Sequence, residues 1–190
     1  LLKTVVDLFD SVLFGLAAGT PRTLLVLDNL EHLTVPEDDG GNAGMGLLQG
    51  LVARAAGRRS VTPGEIVTCK VDLAMMHDSG GPRRVKPMLE RLGAKVWDPS
   101  KVVVITDHYV PTYDDESRKI IRIARDWVRE AGIGNFYDEQ GICHVVLPER
   151  GHLRPGMFAV GGDSHSPTGG AFAAYMFGIG ATEMLGVVTS

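Results

Sequence analysis

The chain has 190 residues, 44% of them hydrophobic and 22% charged, enough to bury a single-domain core. Its net charge of −4 supplies no basic footprint, which argues against nucleic acid as a partner. Lys3, Asp7, Asp10, Arg22 and Asp28 interrupt the N-terminal apolar region, so no run approaches the ~18 uncharged apolar residues of a membrane span, and acids inside the would-be apolar core argue against a signal peptide.

Residues 1–33 read as a helix, Leu1 to Leu16, followed by one strand. The segment Arg22-Thr-Leu-Leu-Val-Leu-Asp-Asn-Leu-Glu-His-Leu33 resembles the Walker B strand of signal-transduction ATPases, whose Asp helps hold magnesium. No GxxxxGK[ST] phosphate loop occurs in the chain, so nucleotide hydrolysis is not expected and residues 1–33 read as an appended, non-catalytic segment. Residues 34–44 are acidic, Gly-rich and apolar-poor, the composition of a linker.

From Met45 onward, helical and strand patterns alternate. Leu47, Leu48, Leu51, Val52 and Ala55 mark one helical face, ended by Gly57. Residues 66–73 predict a strand that delivers Met75, Met76, His77 and Asp78. Val85, Met88, Leu89 and Leu92 mark a helix stopped by Gly93, and residues 101–106 a β-branched strand ending in Asp107-His108. Ile120, Ile121, Ala124, Trp127, Val128 and Ala131 form an amphipathic stripe, begun by Asp114 or Asp115 and ended by Gly132. Residues 141–148 predict a strand carrying His144, residues 157–161 another, and residues 171–177 the start of a packed helix. Helix-separated strands predict an α/β fold, three-layer α/β/α with a largely parallel sheet. Such a sheet would gather His77, Asp107, His108, Asp163 and His165 on one edge.

The richest segment is Gly161-Gly-Asp-Ser-His-Ser-Pro-Thr-Gly-Gly170, where carboxylate, hydroxyl and imidazole are consecutive between glycines. Glycine at a strand's carboxyl end lets backbone N–H groups approach an anionic ligand. A plain loop with Asp163 as a helix cap is equally compatible with this segment alone. A lone histidine in an apolar strand is more often a core residue than a catalyst. Three apolar strands that each carry or end in a His, two with an Asp close by, favour a site.

Four blocks carry a family resemblance: Val71-Asp-Leu-Ala-Met-Met-His-Asp78, Thr106-Asp-His-Tyr-Val-Pro111, Gln140-Gly-Ile-Cys-His-Val-Val-Leu-Pro148 and Gly162-Asp-Ser-His-Ser-Pro-Thr-Gly-Gly170. In this order they resemble the first domain of the aconitase superfamily over residues 45–190, most closely its isopropylmalate dehydratase and homoaconitase-like large subunits. Gly162-Asp-Ser-His165 alone also resembles a metallophosphoesterase motif. The resemblance implies a hydro-lyase that reversibly dehydrates a hydroxy di- or tricarboxylic acid. Loss of water β to a carboxylate needs a base for the C–H and an acid or metal for the departing hydroxide.

By the same resemblance, a four-iron–four-sulfur cluster serves as Lewis acid, with cysteine ligands expected beyond Ser190 and none in this chain. Asp107 and His108 match a pair that protonates the leaving hydroxyl. Asp163 and His165 match a supporting pair, His144 a further active-site histidine, and His77 and Ser164 substrate contacts. His77 stands where isopropylmalate-type enzymes carry His. A small-subunit or swivelling-domain partner is implied. The chain, beginning Leu1-Leu2 and stopping at Ser190 after a helix-like run, is expected to be an incomplete, inactive piece of a longer reading frame. Cys69 and Cys143 lack metal spacing and read as buried free thiols of a reducing, cytoplasmic setting. A metal-dependent phosphoesterase-like domain and a non-catalytic interaction module are the alternatives.

Overall fold

The computed structural model describes residues 41–189, with side chains from Gly46 onward. Residues 1–33 and most of the linker lie outside the described residues. Among the described residues there are five helices and five strands, in the order α1 (Gly41–Ala55), β1 (Leu73–His77), α2 (Pro82–Leu92), β2 (Val102–Thr106), α3 (Asp115–Ala131), β3 (Asn135–Asp138), α4 (Cys143–Glu149), β4 (Phe158–Gly161), β5 (Tyr175–Gly178) and α5 (Ala181–Thr189). Short 3₁₀ turns span Pro99–Lys101 and Ser166–Phe172.

The strands form one sheet in the order β3-β2-β1-β4-β5, and every pairing is parallel. Parallel sheets need cover on both faces, so their central strands are apolar throughout. Every residue of β1, β2 and β4 is buried. Alternate residues face opposite layers. Ala74, Met76, Val102, Val104, Phe158 and Val160 pack with side chains from α1, α2, α3 and α5. Leu73, Met75, Val103, Ile105 and Ala159 pack instead with Cys143, Val146 and Leu147 of α4. The result is a three-layer α/β/α domain with one thick and one thin helical layer.

The long helices carry the terminal signals legible in the sequence. The Asp114 carboxylate accepts a hydrogen bond from Ser117 N at 2.7 Å, and Gly132 closes α3 in the left-handed region at φ 69°. Gly93 closes α2 the same way at φ 63°. The β1–α2 turn requires glycine for space, because a Cβ on Gly81 would stand 2.6 Å from that of Met76.

Several expectations need correction. Within the run 141–148, where a strand was expected, the chain forms the helix Cys143–Glu149. Cys143, Val146 and Leu147 are buried at helical spacing, while Ile142 and Val145 are 62% and 49% exposed. An apolar run this short has no decisive period. The run 171–177, expected as a helix, ends the second 3₁₀ turn and enters β5. Ala173 adopts φ 56°, which interrupts any helix, and the aromatic residues beyond it suit an edge strand. The first strand begins at Leu73. Before it, Val67, Cys69 and Val71 bury alternate side chains against the α1 layer without joining the sheet. Helix α1 starts at Gly41, inside the span read as linker.

Candidate active site

Strand order reverses direction at β1: the chain proceeds to β2 and β3 on one side, then to β4 and β5 on the other. Open parallel sheets bind ligands in the crevice beyond the strands' carboxyl ends at such a switch. Here that crevice lies between β1 and β4, where β1 ends in His77, β2 runs into Asp107-His108 and β4 runs into Asp163.

His77 is 3% exposed. Its Nε2 lies 2.8 Å from the Gly162 carbonyl oxygen, which can only accept, so Nε2 carries the proton. Its Nδ1 then accepts from the Ser79 hydroxyl at 2.9 Å. Burial first, and the charge of His108 second, depress its pKa, which keeps the ring neutral. The expected substrate contact at His77 therefore has both ring nitrogens occupied in this arrangement. The ring serves as a platform, stacked on His108 at 4.0 Å between centroids.

His108 has one nitrogen fixed and one presented to the crevice. Its Nδ1 donates to Asp107 Oδ1 at 2.5 Å, and its Nε2 points toward Asp163 Oδ2, 3.6 Å away. Burial opposes its charge, yet the hydrogen bond and charge of Asp107, helped by Asp78 and Asp163, raise its pKa overall. Asp107 Oδ2 meanwhile accepts the Cys143 N–H at 2.7 Å, in the first turn of α4. A hollow of about 290 Å³, lined by Asp107, Val110, Pro111, Glu139, Gly141 and Ile142, opens beside this carboxylate.

Asp163 is the hub across the crevice. Its Oδ1 accepts from His144 Nε2 at 2.8 Å and from His165 N at 2.7 Å, with His165 Nδ1 at 3.2 Å. Burial alone would raise its carboxyl, but the His165 N–H and the His144 ring hold it down at about 2. Ser164 is exposed, and its hydroxyl lies 3.4 Å from His165 Nδ1. Close packing fixes the loop: a Cβ on Gly178 would meet the Asp163 carbonyl oxygen at 2.5 Å, and the fully buried Ser166 hydroxyl donates to that same oxygen at 2.7 Å. All seven residues named from sequence gather here; Ser164 touches only His165 among them. Helix α4 carries His144 into reach of Asp163.

Sequence reasoning passed over Asp78, Ser79 and Ser166. Asp78 is fully buried and accepts three backbone N–H bonds, from Asp107 at 3.3 Å, His108 at 3.1 Å and Tyr109 at 2.7 Å. An acid directly after an apolar strand was the available signal.

Candidate metal donors converge in two groups, His77, Asp78, Asp107 and His108, and His144, Asp163 and His165, the ligand atoms of each group within 4.8 Å of one another. In the first, the Asp78 oxygens are taken by main chain and the two stacked imidazoles aim their nitrogens in parallel planes. In the second, Asp163 Oδ1 already accepts two N–H bonds. Both read best as hydrogen-bond networks in which the carboxylates are largely committed to protein donors. Iron–sulfur ligation fits no better, since it requires thiolates. Cys69 and Cys143 are both buried, and burial pushes both thiols up, Cys143 far up with the nearby Asp107 charge adding to it.

Comparison with known proteins identifies the family of this chain. The model of the aconitase family (aconitate hydratase) matches residues 52–190. The chain is 48% identical over 145 residues to the probable methanogen homoaconitase large subunit of Methanothermobacter thermautotrophicus, covering 74% of this chain and 34% of that protein. It is 45% identical over 145 residues to the 3-isopropylmalate dehydratase large subunit 1 of Methanopyrus kandleri, covering 76% of this chain and 34% of that protein. A third relative, the 3-isopropylmalate dehydratase large subunit of Aquifex aeolicus, is 41% identical over 143 residues, covering 74% and 33%. The chain thus spans about a third of the length of the curated relatives it matches. The chain belongs to the aconitase family.

Proposed function

We propose that this chain works as part of a hydro-lyase that reversibly dehydrates a hydroxy di- or tricarboxylic acid of the isopropylmalate type, with His108 as the acid that protonates the departing hydroxyl. One observation carries the reading. His108 has Nδ1 locked by Asp107 and Nε2 turned into the crevice at the switch point, and its environment favours the protonated ring. Hydroxide is a poor leaving group, so a positioned acid lowers the barrier where charge develops. Neutral His77, stacked beneath, avoids placing a second cation against His108. Asp163 orients His144 and His165 toward the same space, and Ser164 stands exposed for a substrate carboxylate.

The family's four-iron–four-sulfur cluster supplies Lewis-acid chemistry where it is bound, but the residues described here offer no suitable thiolate. We assign its ligation, and the base for the C–H, to parts of the protein outside this chain. Relatives named as large subunits support a small-subunit partner. This division of labour would leave residues 45–190, with the start of α1 that precedes them, as one catalytic domain that is inactive alone, with residues 1–33 appended and the linker ending at α1. The two free cysteines suit a reducing, cytoplasmic location, and among the described residues no helix is long and apolar enough to cross a membrane. A phosphoesterase centred on Asp163 and His165 is disfavoured because Asp163 Oδ1 is already taken by the His144 ring and the His165 backbone N–H.

The test is dehydration by the whole protein with its partner, followed by ultraviolet absorbance of the unsaturated acid. His108→Asn should lower kcat about 10²–10⁴-fold with little change in KM. Near-normal kcat in that variant, or no turnover of any such acid by the unaltered protein, would overturn the reading.

A further inference from the structure

We propose that Asp78 is the positioning residue of this site: its buried carboxylate clamps three consecutive backbone N–H groups, those of Asp107, His108 and Tyr109, and so fixes the Asp107–His108 pair against Asp163. The inference rests on the proposed acid role of His108, which it deepens.

The geometry is specific. Residues 107–109 leave β2 at Thr106 and belong to no helix or strand, so their N–H groups have no ladder to satisfy them. Asp78 follows the last residue of β1 and is 0% exposed. Because β1 and β2 pair in parallel with His77 opposite Ile105, the acid lies alongside the point where β2 ends. Its Oδ1 takes the N–H groups of Asp107 and His108, and its Oδ2 that of Tyr109. Three donors converging on one buried carboxylate form a ready-made anion nest, here filled by the protein's own side chain. No neutral side chain of this size replaces it, since an amide has one accepting oxygen and would turn an N–H toward the third donor.

The clamp also acts on charge. His108 Nδ1 is 3.9 Å from Asp78 Oδ1 and 2.5 Å from Asp107 Oδ1, while its Nε2 is 3.6 Å from Asp163 Oδ2 and its ring lies on neutral His77. Asp107 bonds one ring nitrogen and Asp163 faces the other. Asp78 instead sets where the ring sits between them, and adds a buried negative charge that no solvent screens.

The experiment is nuclear magnetic resonance of the 190-residue chain. In the unaltered chain, the amide protons of His108 and Tyr109 should exchange slowly, although these residues are exposed or half-exposed and outside regular structure; fast exchange would overturn the clamp. In Asp78→Asn, the His108 ring should titrate at lower pH than in the unaltered chain, while His152, at the other end of the sheet, keeps its titration. An unchanged His108 titration in a folded Asp78→Asn chain would overturn the proposal. In the whole enzyme the same variant should lose about 10²-fold in kcat with KM little changed, the cost of a misplaced acid. A loss confined to KM would overturn it. Failure of His108→Asn to affect turnover would sink the acid assignment alone, leaving the exchange and titration results to judge Asp78.

Discussion

At the ends of β1 and β2 the main chain holds the carboxylates, whereas beyond β4 imidazoles hold the carboxylate. Asp78 accepts three backbone N–H groups and Asp107 one from the start of α4, so both acids are fixed before any ring is placed. Asp163 accepts one backbone N–H, and its other hydrogen-bond partners are the side chains of His144 and His165. Exposure is uneven in the second half: His165 has 79% of its side chain exposed and His144 16%, against 36% for His108. One half of the site is a rigid support for a single ring. The other is a shared negative charge held mostly by imidazole side chains.

The sharpest way to break that comparison is to remove the shared charge. Asp163 is held at about 2 against an ordinary 3.8, so its charged form stabilises the fold; Asp163→Asn should cost about 2 kcal/mol at neutral pH. The sign is fixed by the depressed pKa. The contribution is fully present above the unfolded carboxyl's pKa and disappears as pH falls toward 2. Urea unfolding at neutral and acid pH should therefore show the two chains differing most at pH 7 and converging near pH 2. A difference independent of pH would mean that Asp163 matters through packing, and that both halves of the site are equally rigid.

How far the site was legible in sequence follows the same division. Helix α3 was readable because its buried Ile120, Ile121, Ala124, Trp127 and Val128 keep helical period between an aspartate cap and a glycine stop. The thin layer was not. Helix α4 is seven residues long with a proline inside, and its apolar residues fit either period. Strand β3, Asn135–Asp138, was missed because it buries no residue fully and carries polar ends. Asp107, His108, Asp163 and His165 were readable as strand-end residues because strand ends need no fine geometry. Asp78 was not readable as their support. Its partners lie thirty residues further along the chain, and only the pairing of β1 with β2 brings them together.

A smaller effect is expected from His152, which serves as the control for location. Its Nε2 lies 2.5 Å from the Tyr137 hydroxyl, and it borders a cavity of about 500 Å³ lined also by Arg54, Asp72 and Met157 at the strands' amino ends. His152→Asn should cost about 1 kcal/mol of stability through the lost hydrogen bond. It should leave kcat of the whole enzyme unchanged. Turnover abolished by this substitution would move the active site to the opposite edge of the sheet.

The smallest stability effect should fall on His165, and there the two halves of the site separate most clearly. His165→Ala removes a ring that is mostly solvent-exposed, while the residue's backbone N–H still reaches Asp163 Oδ1. Exposed substitutions away from special features stay within about 0.5 kcal/mol, so the chemical denaturation midpoint of the 190-residue chain should hardly move. Turnover should behave differently. A ring that contributes little to the fold, yet hangs from the charged hub of the crevice, is available to touch substrate, and its loss in the whole enzyme should lower kcat/KM by about 10²-fold. If stability and turnover fell together, His165 would be part of the scaffold. The β4 side would then be as rigid as the β2 side, and catalytic reach would have to come from His108 alone.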